Sequence, residues 1–243
     1  MTEPRTAIVT GAGKRVGARL AEALVERGWT VVAHVRSEDD PVPAGATRVA
    51  ADLADPDCAR AIFAAADALP PVRLLVNNAA RFAWDGLADF SIVEFDAHMA
   101  INARAPVLLT QEFAKRFLGG DGLVVNILDS KLAAPNPDFL SYTLSKQALA
   151  GFTELAAMAL ARRRIRVNGI APALMLKSAG QSDRNFEAVH TRNPLGRGVT
   201  PDHVVAALDY LLACEAVTGE VLTIDGGQRF APPGRDVQFL EGE

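Results

Sequence analysis

Residues 6–17 read Thr-Ala-Ile-Val-Thr-Gly-Ala-Gly-Lys-Arg-Val-Gly. The first five, Thr6–Thr10, form a short apolar run of strand length. Glycines follow at 11, 13 and 17. Beyond the turn, Arg15–Arg27 carries apolar side chains at Val16, Leu20, Ala23 and Leu24, one face of a helix, and Gly28 ends it. Strand, glycine turn and helix in that order predict a cradle for an anion. Glycines let the backbone bend sharply and approach a pyrophosphate, and the helix N-terminus offers free N–H groups and positive dipole. The candidate cofactor contacts here are Gly11, Gly13, Lys14, Arg15, Val16 and Gly17. The gap from Gly13 to Gly17 departs from plain G-x-G-x-x-G, so placement directly after the first strand carries the reading.

The alternation continues along the chain. Strands are expected at Thr30–Val35, Arg48–Ala50, Arg73–Val76, Leu123–Leu128, Ile165–Ile170 and Glu220–Ile224. Helices are expected at Asp57–Leu69, stopped by Pro70 and Pro71, around 91–118, at Ser141–Arg163 and at Pro201–Cys214. Short continuous apolar strands between amphipathic helices indicate an α/β fold, a doubly wound parallel sheet with helices on both faces. No repeat, low-complexity segment or interdomain linker interrupts it, and the Pro/Gly-rich stretch 39–46 reads as a connection inside the sheet. A single domain, 1–243, is expected.

Composition narrows the partners. Hydrophobic residues make up 49% of the chain, enough for a sizeable core. A net charge of −4 argues against a dedicated nucleic-acid binder. The basic run Arg162–Arg164 reads as a solvated helix end, where cations suit the dipole. Cys58 and Cys214 form no Cys-x-x-Cys motif, which fits a reduced, cytoplasmic setting. His34, His98, His190 and His203 lack metal-ligand spacing, so structural or surface roles and no metal are expected. No signal peptide or membrane span is expected either.

The chemistry lies in Tyr142 and Lys146, four residues apart, with Asp129 thirteen residues before the tyrosine. Positions i and i+4 share a helix face, so a phenol and an ammonium can touch one site together. The tyrosine supplies a proton, and the lysine lowers its pKa from ~10 toward neutrality. That is equipment for reducing a carbonyl or imine. After the second strand, where an NAD site usually has a carboxylate, stand Arg36 and Ser37. With Lys14 and Arg15 they form a cationic cluster suited to the 2′-phosphate of NADP. The acidic run Glu38-Asp39-Asp40 is read as a solvated loop pointing away.

In order, Thr10-Gly11, Asp52-Leu53, Asn77-Asn78-Ala79, Asn102, Tyr142-x-x-x-Lys146, Asn168–Pro172 and Asp225-Gly226-Gly227 resemble the short-chain dehydrogenase/reductase family, over almost the whole chain. The resemblance implies a seven-stranded parallel Rossmann sheet and places Asp52 and Leu53 at the adenine edge. It implies that Asn77 braces the sheet and that Asn78, Ala79 and Pro172 line the cofactor. Asn102 would hold a water in a proton path to Lys146. Lys146 would bind the nicotinamide ribose, and Tyr142 would protonate the substrate atom made basic by hydride arrival.

Arginine at 15, Arg36-Ser37, Asp129 in the usual serine slot and Phe82 after Asn77-Asn78-Ala79-Ala80-Arg81 are similar to the pteridine reductase branch. That similarity implies Phe82 stacked on a pterin, with Arg15 reaching both a cofactor phosphate and the pterin. On the residues alone, the set suits a flat nitrogen-rich heterocycle. Phe82 offers a stacking face, Arg15 a donor, and Asp129 an acceptor or a proton relay that works partly protonated. Two alternatives stay open: Ser130 as the family serine displaced by one residue, and Phe82 as a packing residue. Ala80 stands where the branch has a ligand-bonding serine.

The segment 173–200, opening on Ala173, is long and mixed, and reads as a lid that decides the substrate. Ala148–Leu160 is apolar on nearly every face and needs cover on more than one side. In the family this helix forms a dimer face within a tetramer, so a homotetramer is expected, with a dimer next. The function expected is NADPH-dependent reduction of a pterin-like heterocycle. A carbonyl reductase of 3-oxoacyl thioesters or small ketones is the alternative enzyme. A non-catalytic NADP(H)-binding sensor is the rival class, and the intact Tyr142, Lys146 and Asn102 weigh against it.

Overall fold

Strands rich in Val, Ile and Leu have no polar face to turn to water, so a sheet of them must be covered on both sides. The computed structural model, describing residues 3–178 and 180–240, builds such a sheet from seven strands. Met1, Thr2 and residues 241–243 of the expected 1–243 domain, and Ala179 of the 173–200 segment, lie outside the described residues. The strands are β1 (Thr6–Val9), β2 (Thr30–Val35), β3 (Thr47–Ala50), β4 (Val72–Asn77), β5 (Gly122–Ile127), β6 (Ile165–Pro172) and β7 (Val221–Ile224). All pair in parallel, in the order β3-β2-β1-β4-β5-β6-β7.

Helices α1 (Arg15–Glu26), α2 (Cys58–Ala64), α3 (Ile92–Met99), α4 (Ala105–Arg116), α5 (Leu140–Leu160), α6 (Asp183–His190) and α7 (Pro201–Ala213) complete the chain. Successive strand residues feed opposite cores. Val31, Leu74 and Val76 join Leu20, Leu24, Val204 and Leu208 from α1 and α7. Val32, Leu75 and Val124 join Phe63, Leu109, Phe113 and Ala156 from α2, α4 and α5 on the other face. The chain reverses its direction across the sheet between β1 and β4. That leaves a crevice at the carboxyl ends of these strands, where ligands of such sheets bind.

The structure departs from the sequence reading at four places. The helix expected over 57–69 is regular only for Cys58–Ala64. The 91–118 segment is broken by a π-helical turn, Ala100–Arg104, which carries Asn102. The 173–200 segment, read as an irregular loop, contains α6, capped by the Ser182 hydroxyl accepting from the Asn185 N–H at 3.1 Å. Past β7, short helical turns at Gln228–Phe230 and Val237–Phe239 carry the chain back toward the crevice.

Helix α5 is patterned for its position. Tyr142, Ser145, Lys146, Leu149, Thr153, Ala156 and Ala157 are buried along one stripe. Leu155 and Met158 on the other side are 65% and 70% exposed. No helix among the described residues is long and apolar enough to cross a membrane.

Candidate active site

The glycine turn is held from three sides. Asn78 Nδ2 donates to Thr10 O at 2.9 Å and Gly11 O at 3.3 Å. The N–H groups of Asn78 and Ala79 both donate to Thr10 Oγ1 at 3.0 Å. From β2, His34 Nδ1 accepts the Gly11 N–H at 3.2 Å, which leaves Nε2–H to donate to Ala51 O at 3.0 Å. Burial pushes the His34 imidazole below its usual range, toward this neutral tautomer. A Cβ on Gly17 would run into the Gly11 carbonyl and the Asn78 amide, so only glycine lets α1 start this close to the turn. The first turn of α1 has no side-chain cap and no acid, so its N–H groups and dipole face outward, as an anion site requires.

Arg15 takes a left-handed backbone, φ 56°, where side chains are strained. Its guanidinium donates to Lys177 O at 2.9 Å and Leu176 O at 3.2 Å, tying the turn to the segment after β6. In the unliganded chain it therefore holds that segment, and it contacts neither Phe82 nor Asp129. Lys14 is exposed beside it, and Val16 packs into the core.

Arg36 and Ser37 are exposed at the end of β2, as expected for a phosphate site. The acidic run does not point away as expected. Asp40 turns back so that its Oδ2 accepts the Ser37 N–H at 3.0 Å. The cause is local: an aspartate three residues on satisfies the amide freed where β2 stops. Asp52 is exposed past β3, its Oδ1 accepting the Ala54 N–H at 2.9 Å, while Leu53 is buried beneath it. Asn77 Nδ2 donates to Asn126 Oδ1 at 2.8 Å, bracing β4 to β5. Pro172 closes β6, in register with Ile224.

At the centre of the crevice, Tyr142 Oη donates to Asp129 Oδ2 at 2.8 Å, and the Lys131 N–H donates to Asp129 Oδ1 at 2.9 Å. Asp129, not Ser130, therefore meets the phenol. Lys146 Nζ donates to Ile127 O at 2.6 Å and lies 5.8 Å from the Tyr142 ring centroid. The expected lowering of the tyrosine pKa is not found in the unliganded chain. Desolvation, with the Asp129 charge adding to it, holds Tyr142 well above its usual range. Burial lowers Lys146 itself to about 8, against the Asp129 charge. Desolvation also raises Asp129, opposed by the Lys131 N–H and the phenol, in line with a partly protonated carboxyl.

Phe82 stands at this centre, its ring centroid 4.8 Å from that of Tyr142 at 88°. It stacks on Phe139 at 4.3 Å and 20°, yet stays 44% exposed. Asn102 arrives differently from expectation. Its Oδ1 accepts the Arg81 N–H at 2.7 Å, and its Nδ2 donates to Arg81 O and Ser145 Oγ, each at 2.9 Å. Ser145 Oγ donates in turn to Tyr142 O at 2.6 Å. The amide thus fastens α5 to the strand-β4 loop and does not touch Lys146.

Several site-building residues were not read from the sequence. Asp85 is buried and caps α5 from 56 residues away: its Oδ1 accepts the Ser141 N–H at 2.9 Å and its Oδ2 accepts the Ser141 hydroxyl. Phe139, at the N-cap itself, has φ 56° and supplies no capping side chain. His98, fully buried, accepts the Ala83 N–H at 3.2 Å, and Arg81 forks onto Glu94 at 2.7 to 2.9 Å. The only sequence hint was the density of polar residues in 81–98.

Comparison with known proteins places this geometry. A family model described as enoyl-(acyl carrier protein) reductase matches residues 11–229. A short-chain type dehydrogenase/reductase of Picea abies is 31% identical over 92% of both chains. L-xylulose reductase of Bos taurus is 31% identical over 92% of this chain and 96% of its own. FolM alternative dihydrofolate reductase 1 from Brucella suis, solved in complex with NADP, superposes with a TM-score of 0.88 at 35% identity, covering 96% of this chain and 98% of that chain.

Two outcomes test the scaffold of the site. Asp85→Ala leaves the Ser141 N–H unpaired in a buried place and is expected to cost about 1–3 kcal/mol in denaturant unfolding. His34 binds its proton more weakly in the folded chain than at the unfolded value of 6.5, so its contribution is fully present above 6.5 and fades as pH falls below it. Stability measured from pH 8 to pH 5 is expected to fall, and His34→Gln to flatten that part of the curve.

Proposed function

The chain belongs to the short-chain dehydrogenase/reductase family, and we propose that it is an NADPH-dependent reductase of a pterin-like heterocycle. The observation that carries this reading is the charged partner of the reactive phenol. Asp129 stands 2.8 Å from Tyr142 Oη, and Phe82 stands edge-on to the same ring at 4.8 Å. A carboxylate can accept from the amino and ring N–H groups of a pterin, and an exposed phenyl face can stack on its plane. The FolM neighbours, solved with NADP, support the same substrate class.

The residues present fit a dinucleotide. The uncapped start of α1 and the Gly11–Gly17 turn would hold the pyrophosphate, with Lys14, Arg15 and Val16 along it. Asp52 and Leu53 would meet the adenine, and Arg36 and Ser37 the 2′-phosphate. A phosphate at the Ser37 N–H has to displace Asp40, which now holds it at 3.0 Å. Asn78, Ala79, Pro172, Tyr142 and Lys146 would face the nicotinamide end. Bound NADPH supplies the hydride.

The chain's own residues supply the rest. Tyr142 gives its proton to the substrate nitrogen or oxygen that becomes basic as the neighbouring carbon is reduced. Asp129 accepts the phenol until then and orients it. The Lys146 ammonium steadies the phenolate left behind. Lys146 is positioned by Ile127 O at 2.6 Å, and Tyr142 by Ser145 and Asp85 through α5. The segment after β6, held by Arg15, acts as the lid of the substrate side.

A second reading is reduction of a small ketone. Ala80 offers no hydroxyl to a pterin, and L-xylulose and D-erythrulose reductases share 31% and 32% identity with the chain. The assembly that fits either reading is a homotetramer. Val107 on α4 and Leu144, Leu155 and Met158 on α5 leave an apolar face without cover. Two free cysteines, Cys58 and Cys214, fit a reduced cytoplasmic setting.

NADPH oxidation with a dihydropterin, with acetoacetyl thioester and with L-xylulose separates the substrates, and no turnover of any pterin rejects the first reading. Tyr142→Phe is expected to lower kcat by about 10²–10⁴. The alkaline limb of kcat/KM is expected near pH 8, where Lys146 loses its proton. Because the Asp129 charge raises Lys146, Asp129→Asn is expected to move that limb to lower pH. Light scattering is expected to report four chains per particle.

A further inference from the structure

Residues 230–240 lie past the stretch matched by the family model, yet they return to the reaction centre. A nearly buried ion cluster holds them there. Lys131 Nζ pairs with Asp236 Oδ2 at 2.7 Å, their side chains 11% and 10% exposed. The same ammonium donates to Asn136 Oδ1 at 3.2 Å and Asp138 O at 3.1 Å. Asp138 accepts from Arg235 Nε at 2.8 Å and from the Asp236 N–H at 2.8 Å. Asn185 of α6 donates to Leu240 O at 2.5 Å. Burying such charges repays little stability, because desolvation consumes most of the attraction, but it fixes a geometry.

The geometry it fixes is aromatic. Phe239 is brought 5.9 Å from Phe139, their planes 17° apart. Phe139 is itself stacked on Phe82, which adjoins Tyr142. Three rings thus run in series from the phenol to the C-terminal segment. Beside them is a cavity of about 400 Å³, lined by Phe82, Trp84, Phe139, Phe239 and Arg235 among others. That volume lies in the range of small-molecule sites. Nothing in the proposed transfer of H⁻ and H⁺ needs this second chamber.

We propose that the C-terminal segment builds a second-ring subsite, which takes a flat aryl substituent carried by the reduced heterocycle. The inference rests on the pterin reading and makes it narrower. The preferred substrate is a dihydropterin with an aryl extension, such as dihydrofolate, over a dihydropterin with a small alkyl group. The heterocycle lies at Tyr142 and Phe82, and its aryl arm lies along Phe139 and Phe239. Phe239 is a specificity-determining residue, and Lys131, Asp138 and Asp236 are positioning residues that act through it.

The test is the ratio of kcat/KM for dihydrofolate to that for 6-methyl-7,8-dihydropterin, measured with NADPH in the full-length protein. Wild type is expected to favour dihydrofolate. Phe239→Ala is expected to lower the ratio by about tenfold, mainly through the KM of dihydrofolate. Phe239→Trp, which keeps a ring, is expected to retain the preference. Thermal melts confirm that each variant is folded. An equal loss on both substrates means that Phe239 is only structural and overturns the subsite, as does an unchanged ratio in Phe239→Ala. Turnover of the methyl compound with no preference for dihydrofolate also overturns it, and leaves the pterin reading standing. No turnover of either pterin rejects that reading, and the subsite with it.

Discussion

A phenol that donates to a desolvated carboxylate, Tyr142 to Asp129, sets the terms for the rest of the crevice. Neither group tolerates loose placement. A buried carboxylate without donors costs several kcal/mol, and a phenol beside it cannot ionise cheaply. The chain meets this by anchoring both ends of the pair. Asp129 receives the Lys131 N–H at the start of its own loop. Tyr142 sits in the first turn of a helix capped from a distant loop by Asp85 and fastened at Ser145 to the Asn102 amide. The polar residues of 77–102 thus act as a brace for one hydroxyl. That explains why a loop after a strand is so rich in buried side-chain bonds.

Local strain falls in the same region. Three non-glycine residues, Arg15, Phe139 and Arg164, have left-handed backbones. Each such residue costs about 1–2 kcal/mol, a cost that glycine would remove. Arg164 closes the turn behind α5 and pairs with Asp121, far from the crevice. At the other two positions glycine would remove something the site uses. Without the side chain at 15, the glycine turn loses its tie to Leu176 and Lys177. Without the ring at 139, the stack between Phe82 and Phe239 has no middle member.

The sheet was legible because its signal is dense: runs such as Thr30–Val35 and Leu123–Ile127 are buried on both faces and permit little else. Tyr142 and Lys146 were legible because helical spacing fixes their shared face, and Asp129 because it occupies a slot defined by distance from the tyrosine. What the sequence withheld depends on long-range closure. The Asp85 cap spans 56 residues, and nothing local marks that aspartate from its neighbours. Helix α6 buries only Val189 among its own residues, too little for a periodic pattern. The return of residues 230–240 rests on Lys131, Asp138 and Asp236, which read in sequence as ordinary surface charges. The direction of the tyrosine shift was misread for a related reason. Proximity to Lys146 can be inferred from spacing, whereas desolvation and the 2.8 Å approach of Asp129 exist only in the folded chain.

That electrostatic balance bears on the direction of chemistry. To oxidise an alcohol, the phenol must first give up its proton and wait as a phenolate. Beside a carboxylate held at hydrogen-bond distance, that state puts two negative charges together in a desolvated place, with one ammonium of lowered basicity to offset them. To reduce a C=N or C=O bond, the phenol must instead wait protonated, which is the state the crevice stabilises. A serine in the slot of Asp129 would carry no charge and would leave the two directions more evenly matched. The substitution therefore loads the site as a proton donor, and the raised carboxyl of Asp129 is a ready source for the next proton.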